Sequence, residues 1–353
     1  MTKGRQLDLF GATGRPPPAG TGGPPPDTSA AVRRPPAGRS PAVGPAPAPP
    51  GAVAWAARLP RGLRLGTSSW SFPGWAGLVY DVQAPEPVLS RQGLAAYARH
   101  PLLRTVGLDR TFYAPMGIGD YARHAAQVPT DFRFLVKASQ GCTFPSVRAP
   151  APGGKDAWKP NPRFLDPAFA TDAVVRPAVE GLGERLGVLL FQFPPLPRPA
   201  IRDPGALAAR LGAFLAALPR GPLYAVEIRN RELLVPAWAA ALEAAGAAHA
   251  YLVHPSMPPV LEQAQLVPLE RQPSLVVRWM LGHGRSYDEA RDLYAPFDAL
   301  AAPDPESRHQ IARLCEHAAR LGREGAVVVN NKAEGSSPLS VLELARVLVA
   351  PGP

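Results

Sequence analysis

A chain of 353 residues can hold one large domain or two ordinary ones. Its formal charge is +10, but five lysines stand against 33 arginines amid abundant Ala, Gly and Pro, so codon bias explains the basicity and nucleic acid is only permitted. Two cysteines, Cys142 and Cys315, in no metal or redox spacing, and no apolar run long enough to span a bilayer point to a cytoplasmic protein without a membrane partner.

Thirteen of the 46 prolines fall in the first fifty residues, with Phe10 the one aromatic there. Residues 1–60 therefore read as a disordered, Pro-rich tail that cannot bury a core. Within it, Gln6, Leu7, Asp8, Leu9 and Phe10 form an apolar spike. Either the spike is incidental or its burial site lies on another protein.

From Arg61 the pattern changes, and 61–353 reads as one folded domain of about 290 residues, a common size for an α/β barrel. Short apolar runs of buried-strand length recur at 63–70, 105–112, 132–139, 187–194, 223–230, 248–254, 274–280 and 326–331. Helix-like segments lie between them at 88–99, 166–182, 204–217, 235–245, 306–322 and 338–349, the last with Ser337 placed to cap it. Eight strands alternating with helices predict an α/β fold, a TIM-type (β/α)8-like barrel. The connection 140–162 is too long for a routine loop, and its Lys155, Trp158 and Lys159 suit either a nucleotide or nucleic-acid strand or a solvated insertion.

Barrel active sites lie at strand C-termini. Polar residues recur there: Ser68, Ser69, Asp109, Lys137, Gln192, Glu227, Arg229, His254, Arg278, Asn330 and Asn331. Burying so many without partners would cost roughly 2–7 kcal/mol each even for neutral groups. Glu227 and Arg229, two apart, share one side of their strand, as a structural ion pair or as a general base and an anion clamp. For Lys137, substrate phosphate, Schiff-base chemistry and pairing with Glu227 all stay open. In the last two loops, Gly282, Gly284, Asn331, Gly335, Ser336 and Ser337 form a candidate substrate or anion site before a helix N-terminus. A divalent metal is possible, with His254, His283, Glu227 and Asp109 as converging groups, but no local metal signature marks it.

The blocks LGTSSWSFPGWAGLVY, TVGLDRTFY, FRFLVKAS, LGVLLFQFPP, YAVEIRN and VVVNNKAEGSSPLSVLELARVL, in that order over roughly 63–349, resemble the YecE-like domain of unknown function 72. The resemblance implies a TIM-type barrel and leaves the activity open. Lys137, Glu227, Arg229, Arg278 and Asn330–Asn331 match the family pattern, whereas Gly107 and Asp109 stand where it usually has Glu and Asn, and Phe144 where a His often follows. The segment 6–10 resembles the bacterial sliding-clamp-binding peptide, a match expected by chance on the order of once in a thousand such chains. It implies a partner, the clamp of DNA polymerase III, whose apolar pocket would take Leu9 and Phe10 while Gln6 bonds its rim.

The expected function is an enzyme on a phosphorylated or nucleic-acid-derived substrate, phosphoester hydrolysis favoured, with Glu227 as base, Lys137, Arg229 and Arg278 as charge stabilisers and Asn330 beside them. Two other classes remain: a non-catalytic clamp-associated adaptor that binds nucleotide, nucleic acid or protein, and a small-molecule enzyme unrelated to DNA.

Overall fold

The computed structural model describes residues 42–150, 156–282 and 284–350. The segment 6–10 and most of the expected tail lie outside them. In chain order the strands are β1 (Leu63–Thr67), β2 (Leu103–Leu108), β3 (Arg133–Lys137), β4 (Ser146–Pro150), β5 (Asp156–Pro160), β6 (Leu186–Gln192), β7 (Tyr224–Glu227), β8 (Ala248–Val253), β9 (Leu275–Trp279) and β10 (Gly325–Val329). Eight close a parallel barrel in the order β1-β2-β3-β6-β7-β8-β9-β10, with β10 returning to β1. Each coincides with one of the eight predicted runs. The remaining two form an antiparallel hairpin inside the long 140–162 connection, with Arg148 opposite Trp158.

Strand alternation divides the core in two. Leu135, Val188, Leu190, Ala225, Ala248, Ala250, Val276 and Val328 form a separate apolar cluster that fills the barrel. Their alternates, among them Val136, Leu189, Phe191, Val226, Val277, Val327 and Val329, join the larger cluster beneath the helices. Several helices begin with an Asp-Pro step that makes both the cap and the first turn. Asp166, Asp203 and Asp304 accept from the amides of Ala168, Ala206 and Ser307.

Three expectations need correction. The folded region begins before Arg61: the Ala46 amide donates to Val79 O at 2.9 Å. A helix, Ala52–Arg58, follows, and the Arg58 guanidinium donates to Val349 O at the end of the helix Ser337–Val349. The prolines there order an extended lead-in instead of preventing packing. The 166–182 helix is interrupted by a wider turn at Thr171–Val175. Ser337 is the first residue of the last helix, not its cap; its amide and hydroxyl both donate to Asn331 Oδ1. Among the described residues no helix is long and apolar enough to cross a membrane.

Candidate functional site

The inward alternation continues one step beyond the apolar filling, and there the chemistry changes. Leu135 is followed by Lys137, Leu190 by Gln192, Ala225 by Glu227 and Val276 by Arg278, all buried. The result is a charged layer at the C-terminal mouth of the barrel.

Glu227, fully buried, is its centre. One carboxylate oxygen meets Arg229 Nη2 at 2.7 Å and accepts from its Nε at 2.9 Å, while the other faces Arg278 Nη1 at 3.2 Å. Arg278 also turns Nη2 toward Asp109 Oδ2 at 3.5 Å. Asp109 stands on the turn Asp109–Phe112 after β2, with 31 % of its side chain exposed, at the outer edge of the layer. Among the described residues, Arg278 Nε, Gln192 Oε1 and Asp109 Oδ1 are buried without a hydrogen-bond partner. Such atoms are costly to leave so and mark a place where polar ligand atoms would be accepted.

Lys137 Nζ lies 3.8 Å from the centroid of the Phe112 ring. Burial pulls its pKa down to about 8; Asp109 and Glu227 oppose that fall, and Arg278 and Arg229 add to it. Burial would raise the Glu227 carboxyl, but Arg278, Arg229 and Lys137 outweigh it and hold it below its ordinary value. The expected base role of Glu227 therefore does not fit: a carboxylate shared by two guanidinium groups is a weak proton acceptor. It bridges the two guanidinium groups. Lys137 can exchange a proton near neutrality instead.

Gly107 explains one departure from the family pattern. A Cβ there would come within 2.9 Å of Ser68 O, so no glutamate fits beside β1. The mouth's second carboxylate comes from Asp109, one inward step further on.

The other predicted residues do not join this group. Asn330 Nδ2 donates to Ser68 Oγ at 2.9 Å and its Oδ1 accepts from the Lys332 amide, pinning the last loop to β1. The anion site expected of the last two loops is occupied by the chain itself. The Gly282 amide donates to Lys332 O, the Gly335 amide to Asn331 O and the Ser337 amide to Asn331 Oδ1. Gly335 has φ +121°, and a side chain there would strike Ala299 O. Ser336 is buried at the helix start without capping it. Gly284 sits in an open turn at φ +77°. The loop's own carboxylate, Glu334, is buried beside them and paired with Arg308. Glycines, Asn331 and serines here close the loops.

Lys332 was not anticipated. It is buried, with Nζ 4.0 Å from the centroid of the Tyr287 ring, and burial lowers its pKa to about 8. Burial, then the Asp109 charge, raises the Tyr287 hydroxyl, which places that ring near the mouth. Lysine scarcity was the available signal: of the three described lysines, Lys137 at the end of β3 and Lys332 after β10 are buried. Among the described residues, no three His, Cys, Asp or Glu side chains gather as a metal site. His254 Nδ1 instead lies 2.9 Å from Ser256 Oγ, and His283 is outside the described residues.

Fold and mouth together define a TIM-type barrel protein with a buried, predominantly cationic charge layer at its strand C-termini. The chain belongs to the family described as protein of unknown function DUF72, whose model matches residues 64–352. A crystal structure of a DUF72 family protein from Thermotoga maritima MSB8 is 20 % identical, with TM-score 0.57, covering 81 % of this chain and 98 % of that one. Another, from Enterococcus faecalis V583, is 16 % identical with TM-score 0.53, covering 82 % and 98 %. At these identities the likeness shows the fold alone. No curated protein matches the chain.

Proposed function

We propose that the barrel is an enzyme acting on a phosphorylated or nucleic-acid-derived substrate, phosphoester hydrolysis being the chemistry its mouth suits best. The observation that carries this reading is Lys137, buried among Asp109, Glu227, Arg229 and Arg278 with its pKa drawn to about 8. In hydrolysis, water attacks phosphorus and the ester P–O bond breaks. Asp109 takes the water's proton, Lys137 gives one to the leaving oxygen, and Arg278 faces the charge on the phosphoryl oxygens. Glu227 holds Arg278 and Arg229 in place. Purified full-length protein, assayed against phosphoesters and nucleic acids with and without divalent metal, should show turnover that Lys137→Met and Asp109→Asn abolish. No turnover on any of them rejects the reading.

One observation favours a non-catalytic adaptor instead: the ion pairs of Glu227 already satisfy much of the layer's charge. An adaptor would bind without turnover. Under either reading we assign residues 6–10 to the sliding clamp. A peptide of residues 1–14 should bind the clamp with micromolar affinity, about −8 kcal/mol. Leu9→Ala with Phe10→Ala should abolish binding in calorimetry and Gln6→Ala weaken it; a parent peptide that gives no heat removes the clamp from the account.

A further inference from the structure

Beside the charged mouth lies a concavity of about 610 Å³, between the segments after β2 and β3 and the β4–β5 hairpin. Its size is that of a ligand pocket, within roughly 300–1,000 Å³. Tyr113 and Trp158 line it, each 49 % exposed, with Phe144 and Phe169 behind them. Arg148 and Arg163 line it too, and among the described residues no aspartate or glutamate does.

The cations and rings are already arranged together. The Arg148 guanidinium lies 5.7 Å from the Trp158 ring centroid and that of Arg163 lies 4.7 Å from Phe169. Isolated exposed aromatics on a surface need no explanation. Two in one groove, interleaved with arginines, are the composition by which proteins hold single strands: bases stack on rings and cations follow the phosphates. One buried ring, Phe112, stands between the groove and the mouth. Phe112 packs edge-on to Tyr113 and Phe144 on the groove side, with centroids 5.4 and 5.7 Å away, and carries Lys137 Nζ over its face on the other.

We infer that this groove holds a single strand of nucleic acid, its bases stacked on Tyr113 and Trp158 and its phosphates met by Arg148 and Arg163. The inference rests on the reading of the mouth as a phosphoester site, because a strand so held is one aromatic ring away from Lys137. It names the substrate class that reading left open.

The test uses full-length protein and fluorescently labelled single-stranded DNA and RNA oligonucleotides of equal length, followed by anisotropy. Trp158→Ala and Tyr113→Ala should each weaken binding about tenfold, the scale of one lost stacking contact. Arg148→Ala with Arg163→Ala should flatten the salt dependence by about 1.4 in slope, since each phosphate neutralised on a single strand contributes about 0.7. A preference for either sugar supports the site and identifies the strand. Parent-like binding by both aromatic variants, no binding by the parent, or tighter binding of a peptide overturns it. Lys137→Met separates the two readings. If it abolishes turnover while the groove variants bind normally, the groove falls and the mouth stands. If the groove variants lose binding while Lys137→Met still turns over, the groove stands and the mouth falls.

Discussion

At each end of the barrel a glutamate meets arginine, and the two ends use the pair differently. At the strand N-termini Glu324 faces Arg64 at 2.9 Å, with 70 % of the carboxylate side chain in water. At the C-termini Glu227 has no exposure and lies between Arg229 and Arg278 at 2.7 and 3.2 Å. Water screens the first pair, so either partner can be lost cheaply. Nothing screens the second: removing the carboxylate leaves two guanidinium groups and Lys137 buried together. Like chemistry becomes a surface contact at one end and the organiser of a cationic site at the other.

The largest effect should come from the buried end. Glu227→Gln should lower the urea-unfolding free energy by about 3–5 kcal/mol. A loss below ~1 kcal/mol would mean that the mouth is wet and the comparison false.

Lys137→Met should act in the opposite direction. Folded Lys137 loses its proton at about 8, below its ordinary 10.5. Between those values the unfolded chain binds more protons, so this group's contribution to stability rises with pH through that window; below it, the full penalty of the buried charge is present. The variant should therefore be more stable than the parent at pH 7 by about 3 kcal/mol, and the difference should vanish toward pH 10.5. Paired denaturation series at pH 7 and 10 would reveal a structural lysine if the variant were weaker at both.

A chain starting at Arg61 tests the other end. It loses the helix Ala52–Arg58, with buried Ala52 and half-buried Trp55 against the core. About 2 kcal/mol should go with that apolar area, while anion binding at the mouth survives. A chain starting at Ala42 should melt with the parent. Equal melting of the Arg61 and Ala42 chains would show that the helix contributes nothing.

Glu324→Gln should be the mildest change, within about 1 kcal/mol, and less at high salt. A larger loss would erase the distinction between the ends.

Much of this contrast is legible in the sequence, because strand alternation carries it. Leu135 to Lys137, Ala225 to Glu227 and Val276 to Arg278 are each two residues apart, so the apolar filling and the charged layer had to share the barrel interior. What lay outside a strand was harder to read. Lys332 reaches Tyr287 from a loop without periodicity. Asn331 and Ser337 have the composition of an anion loop, yet they bond to each other, a choice between ligand and self that residue type cannot express. The hairpin was hidden by Pro150 and Pro160 at its ends, and the helix at Ala52 by the prolines before it. Residues 6–10 lie outside the described residues, and their assignment to the clamp rests on sequence alone.

The proposed function turns on Lys137 as a buried cation beside which an anion binds. With five lysines in the chain, labelling their side-chain ε-carbons gives a spectrum in which Lys137 can be assigned by the Lys137→Met variant and titrated directly by NMR. The account predicts a midpoint of about 8 that moves upward when inorganic phosphate is added, because a bound anion favours the charged form. A midpoint at the ordinary 10.5, or one that phosphate leaves unmoved, would contradict it.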